Sequence, residues 1–195
     1  MIIKKLEEFN KYCLPSTVST LVSYYSWKHK LRHIDIMNLG VSGQGKSFSN
    51  IDLLRALEQP FILKTGTLTP KELFNQLRDY SDSFFIFDDT NKLTTSFDFQ
   101  SIFLSALGEN RIIEWNKDNS RESKCFTGNM IINTNYFNTK LEPLKDRLFI
   151  NSVRLSKEQI IDKIKIIHSG KKIDISEINN LLENKPSRLT RNEEN

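Results

Sequence analysis

Residues 40–47 read Gly40-Val41-Ser42-Gly43-Gln44-Gly45-Lys46-Ser47, a full match to the pattern G-x-x-x-x-G-K-[ST]. Upstream, His33 to Leu39 (HIDIMNL) alternates Ile34 and Ile36 with polar partners, as a strand does. Downstream, FSNIDLLRALEQ places Ile51, Leu54 and Leu57 at helical spacing. Glycines between a strand and a helix let the loop turn back, so that several backbone N–H groups converge on phosphate oxygens at the positive end of the helix. In that setting Gly40, Ser42, Gly43, Gln44, Gly45, Lys46, Ser47 and Phe48 line the phosphates of ATP. Lys46 reaches the β- and γ-phosphates and the Ser47 hydroxyl binds Mg²⁺. A loop that merely turns the chain is the alternative, and its placement at a strand-to-helix junction argues against it.

Such a loop needs an acid for the metal, at the end of a neighbouring buried strand. Phe84-Phe85-Ile86-Phe87-Asp88-Asp89 has that form, an almost wholly apolar run as in a strand covered on both faces, closed by two carboxylates. Asp88 is expected to hold Mg²⁺ directly or through water, and Asp89 to act as the base that orients the attacking water. Taken alone, two acids after an apolar strand read more readily as a turn or a helix cap. Together with residues 40–47 they form a site.

Around this centre the chain reads as one α/β domain. Helical spacing from Ile2 to about Lys30 is broken at Pro15, which predicts two helices meeting there and packing on the core. Phe61 to Lys64 is a short strand, and Thr69-Pro70 opens a helix with Leu73, Phe74 and Leu77 on one face. A helix over Ser96 to Leu107 ends at Gly108. Arg111 to Trp115 and Lys124 to Phe126 flank NKDNSRES as a hairpin with a polar, basic tip. Met130 to Ile132 is a buried strand ending in Asn133-Thr134-Asn135, Leu141 to Lys145 a helical turn, Leu148 to Val153 the last strand, and Ser156 to His168 a helix capped by Ser156. A weak helix over Ile175 to Leu182 precedes a polar tail expected to lack structure. The domain limits expected are 1–30 for the helical segment, 31–155 for the core, 156–184 for a short helical lid and 185–195 for the tail.

Composition narrows the classes. The 195 residues contain 38% hydrophobic and 27% charged side chains with 7 Gly and 5 Pro, which excludes collagen-like, wholly disordered and low-complexity chains. No apolar run approaches the ~20 residues of a spanning helix, and the start MIIKKLEEFNKY is unlike a secretory signal, so neither membrane insertion nor export is expected. Cys13 and Cys125 have no Cys or His at ligand spacing; a reducing, cytoplasmic setting or an organelle matrix fits them. His29, His33 and His168 likewise show no ligand spacing. The net charge of +4 permits contact with nucleic acid without requiring it.

The order of GVSGQGKS, FFIFDD, GNMIINTN and Leu144-Lys145-Asp146-Arg147 before the last strand resembles the AAA+ branch of P-loop ATPases, in particular small ones encoded by phages, plasmids and organelles. The likeness runs from about Ile34 to His168. It implies a three-layer P-loop NTPase fold of AAA+ type, a parallel sheet with helices on both faces, a β-hairpin insertion and a reduced C-terminal lid. By that resemblance Asn135, or failing it Asn133, positions the attacking water, and Arg147 acts as an arginine finger on the γ-phosphate of a neighbouring subunit. It also implies ATP and Mg²⁺ as cofactors, a homo-oligomeric ring or filament, and action on DNA or on a DNA-replication protein. Where the family usually has glutamate, Asp89 is one methylene shorter, which favours slow hydrolysis.

The hairpin carries Arg111, Lys117, Arg121 and Lys124 with Trp115. One reading projects it into a pore, where the cations track phosphates and the indole stacks on a base. The other is a solvated hairpin with Trp115 in the core. Three functions fit the sequence: an oligomeric AAA+ ATPase acting on DNA or a replication protein, a viral-type DNA helicase, and a slowly hydrolysing, nucleotide-gated loader or adaptor.

Overall fold

The computed structural model describes residues 15–89, 97–117, 120–135 and 142–168. Five strands form one parallel sheet: β1 (Ile36–Leu39), β2 (Phe61–Thr65), β3 (Phe84–Asp88), β6 (Asn129–Thr134) and β7 (Phe149–Ser152), in the order β2-β3-β6-β1-β7. β4 (Ile112–Lys117) and β5 (Ser120–Cys125) make a separate antiparallel ribbon. The helices are α1 (Pro15–Lys28), α2 (Lys46–Ala56), α3 (Pro70–Asp79), α4 (Phe97–Ala106), α5 (Glu142–Lys145) and α6 (Lys157–His168). This is the expected α/β P-loop NTPase architecture. The crossovers place the first strand inside the sheet, one in from the β7 edge, with its neighbours β6 and β7 coming from late in the chain.

Alternation along β3 shows why the sheet is covered twice. Phe85 and Phe87 point into a core with Leu73, Phe74 and Leu77 of α3 and Phe99, Ile102 and Phe103 of α4. Phe84 and Ile86 point the other way, toward Tyr24 of α1 and Leu54 of α2. The α3 boundary follows from Thr69, whose hydroxyl accepts from the Glu72 amide while the Glu72 carboxylate accepts from the Thr69 amide, with Pro70 at the first helical position. Those bonds hold the Glu72 carboxyl below its usual value. Ser156 caps α6 as expected, accepting from the Gln159 amide at 3.2 Å.

The ribbon does not stand away from the body. Ile113 and Trp115 are buried, Trp115 lies against Phe74 with ring centroids 5.9 Å apart, and Arg78 of α3 is paired with Glu122 of β5. Trp115 is therefore a core residue, and the base-stacking role is withdrawn. Arg111 is corrected too. It is 7% exposed, its Nη1 is 2.6 Å from Asp35 Oδ2, and it donates to the carbonyls of Phe126 and Gly128, so its charge is committed inside the protein. Of the remaining cations, Arg121 and Lys124 are exposed but lie opposite Asn116 and Ile113, on alternate faces of the ribbon. Lys117 pairs in register with Ser120. Residues 118–119 lie outside the described residues, as do Cys13, the helix expected before Pro15, residues 136–141, the helix expected at 175–182 and the tail. Cys125 is a free, exposed thiol.

Candidate nucleotide site

Residues 40–47 leave the carboxyl end of β1 and enter α2. An added Cβ on Gly40 would meet the Val153 carbonyl oxygen at 2.2 Å, so only glycine lets the loop start beside the end of β7. Gly43 and Gly45 have φ of 80° and 74°, the left-handed turn that brings the loop back over the helix. Gly45 caps α2 without any side-chain hydrogen bond to the helix, so no side chain occupies the place where a phosphate would meet its amino end.

Lys46 folds back into this loop. Its Nζ is 2.5 Å from the Gly40 carbonyl, 3.0 Å from that of Val41 and 3.2 Å from Asn135 Oδ1. Burial pushes the ammonium below its ordinary value, while Asp88 and Asp89 pull it back up. The Ser47 hydroxyl donates to Asp88 Oδ1 at 2.5 Å, joining the end of β3 to the start of α2. Asp89 is exposed and adopts φ of 57°, the left-handed region, at the point where the chain leaves β3.

Asn133, inside β6, and Asn135, just after it, separate clearly. Asn135 faces Lys46, in the loop, whereas Asn133 is buried at 1% exposure beneath α2. Beside them a cleft of 420 Å³ is lined by Gly40, Gln44, Asn135, Val153 and Arg154. Gln44 is 9% exposed there and its Oε1 has no hydrogen-bond partner among the described residues, an acceptor left for a bound N–H or O–H group. Sequence reading overlooked Arg154. It follows the last strand, and the register of β7 with β1, Ser152 opposite Leu39, is the only cue to its place beside the loop.

These groups fit a nucleotide with Mg²⁺. The Ser47 hydroxyl and Asp88 carboxylate are hard oxygen donors, and their small number suits a cation that keeps waters and takes phosphate oxygens. Lys46 and the uncapped amino end of α2 supply the positive field, and Gln44 an unsatisfied acceptor.

Arg147 stands elsewhere. It donates from Nη1 to the Leu104 carbonyl at the carboxyl end of α4, and Gly108, whose added Cβ would lie 3.1 Å from that nitrogen, leaves it room. It precedes β7, whose Phe149 lies opposite Ile36, so it sits at the amino end of the sheet. At ~3.3 Å per strand residue, roughly 15 Å separates that level from its own phosphate loop.

No family model matches the chain, and no curated protein matches it in sequence. The fold is similar to that of a point mutant of RuvB from Thermotoga maritima, at 13% identity and a TM-score of 0.51, over 71% of this chain and 44% of that one. The chain thus spans under half the length of that structure, and the likeness concerns the fold. Among the described residues no helix is long and apolar enough to cross a membrane.

Proposed function

We propose that the protein is an AAA+-type ATPase that binds ATP with Mg²⁺ and hydrolyses it slowly, as a homo-oligomer acting on DNA or on a DNA-replication protein of a phage, plasmid or organelle genome. The observation that carries the reading is the joining of Ser47 to Asp88 beside Lys46, which assembles a phosphate cradle and a metal position from two distant stretches of sequence. In this reading Lys46 and the loop amides bind the phosphates and Ser47 and Asp88 hold Mg²⁺, which offsets phosphate charge when bound. Asp89 takes a proton from the attacking water and Asn135 orients it. The loader reading keeps its place because of Asp89, one methylene shorter than glutamate and held on a positive φ.

Lys46→Ala should weaken ATP binding at least about 100-fold, because it removes a cation making charge-assisted bonds worth roughly 1.5–3 kcal/mol each. Calorimetric titration with ATP checks it, with circular dichroism confirming the fold; an unchanged affinity refutes the nucleotide site. ATPase activity measured across protein concentration, with and without single-stranded and duplex DNA, tests oligomerisation and client together.

If the ribbon meets DNA, replacing Lys117, Arg121 and Lys124 by Ala should flatten the slope of log affinity against log salt by roughly 2–3, since fewer counterions are released. An unchanged slope in a filter-binding series leaves the ribbon a structural element, which the placement of Arg121 and Lys124 on alternate faces already favours.

A further inference from the structure

On the sheet face covered by α1 and α2 the apolar layer gives way to amides near the carboxyl ends of three strands. Asn38 of β1 is the register partner of both Asn133 of β6 and Asn151 of β7, so the three stand in one row across the sheet. Asn50 of α2 and a serine and threonine face of α1 close over them. The hydrogen bonds run in a consistent direction. Asn151 Nδ2 donates to Asn38 Oδ1 at 2.9 Å, while the Ser19 and Thr20 hydroxyls, 3.3 Å from Asn38 Oδ1 and 2.8 Å from Asn50 Oδ1, share their single hydrogens with the Ser16 carbonyl. Asn38 Nδ2 at 3.0 Å and Asn50 Nδ2 at 2.9 Å both donate to Asn133 Oδ1.

Two donors on its oxygen leave the Asn133 amide one orientation, with Nδ2 toward the phosphate loop. There it lies 3.4 Å from Ser47 Oγ, whose own hydrogen goes to Asp88. A hydroxyl has one hydrogen and two lone pairs. With the hydrogen committed to Asp88 and one lone pair facing Asn133, one lone pair remains.

We propose that Asn133 is a positioning residue for the metal: held by Asn38 and Asn50, its amide fixes the Ser47 hydroxyl so that the free lone pair faces a divalent cation bound with the nucleotide. This rests on the nucleotide reading above. Asn133 reaches the phosphate loop at the Ser47 hydroxyl, the group that would also meet the cation. A buried layer of amides is tolerable only when every group is satisfied, and a chain with no use for the polarity would fill it with Val or Ile.

The test measures binding of a fluorescent ATP analogue in EDTA and across a Mg²⁺ titration, with thermal unfolding of each variant. Asn133→Leu, close in size and unable to donate, should raise the Mg²⁺ concentration for half-maximal effect roughly five- to tenfold, the worth of one hydrogen bond, and leave Mg²⁺-free affinity unchanged. Asn133→Ala, which removes the amide altogether with the least added bulk, should give the same shift and serves if the leucine variant does not fold. Asn151→Ala leaves both donors on Asn133 and should lower the melting temperature without moving the Mg²⁺ midpoint. The proposal is overturned if the Asn133 variants bind Mg²⁺-nucleotide as the wild type does, if Mg²⁺-free affinity falls equally, or if Asn151→Ala shifts the midpoint as far. Wild-type protein that binds no nucleotide at all overturns the nucleotide reading itself, and this inference with it.

Discussion

Arg147→Ala should lose about 10³-fold or more in ATP turnover while its affinity for ATP stays within about threefold of the wild type, since an arginine finger acts on charge that develops in the transition state. Arg147 lies far from the phosphate loop of its own chain. Arg147 is exposed at the amino end of the sheet, and its own phosphate loop leaves the opposite end. Among the described residues its side chain gives one hydrogen bond, to the Leu104 carbonyl, a solvent-side bond worth about 1 kcal/mol, so the variant should remain folded. The decisive measurement mixes Arg147→Ala with Asp89→Asn. In a shared site some interfaces then pair an intact Asp89 with an intact Arg147, and activity returns in part. Wild-type specific activity should also rise with protein concentration. Failure of both expectations leaves a monomeric ATPase with its finger, if any, elsewhere.

Arg111→Ala should destabilise the fold by about 3–5 kcal/mol, because it strands the Asp35 carboxylate in a dry site. Arg111 and Asp35 are both under 10% exposed, and the guanidinium also satisfies the Phe126 and Gly128 carbonyls and lies over the Phe126 ring. Asp35 Oδ1 in turn accepts from the Met130 amide at 2.7 Å, so one pair ties the foot of the ribbon to the starts of β1 and β6. For a domain of this size the loss corresponds to a fall in melting temperature of roughly ten degrees or more. Joint replacement by Arg111→Met and Asp35→Leu should recover much of it, as buried pairs exchanged for apolar side chains commonly do. A fall of under two degrees in Arg111→Ala would contradict the pairing.

Local pattern made the fold legible where each element announces itself within a few residues. The glycines at 40, 43 and 45, the apolar run before Asp88 and the Thr69-Pro70 start each carry their own physical requirement, and the structure places them as expected. The misreadings came from distance in sequence. Arg111 looked like part of a basic tip because its neighbours in the chain are Lys117 and Arg121, while its true partner lies 76 residues upstream. Ile113 and Trp115, alternating with Ile112, Glu114 and Asn116, did signal that one face of the ribbon is buried. Asn38, Asn133 and Asn151 each pass for a polar residue closing a strand. Only the register that lines them up reveals a shared layer.

That row also bears on how the last strand finds its place. Among the described residues β7 lies at the sheet edge with only β1 beside it and few apolar anchors, Ile150 being the one that packs on the α3 and α4 side. Sliding β7 by one residue would set Ile150 or Ser152 opposite Asn38, swap the faces of every β7 side chain and leave the Asn38 oxygen without its best donor. The asparagine at position 151 thus acts as a checksum on assembly: an edge strand that zips up one step out of phase is recognised by an unanswered amide rather than by a lost hydrophobic contact.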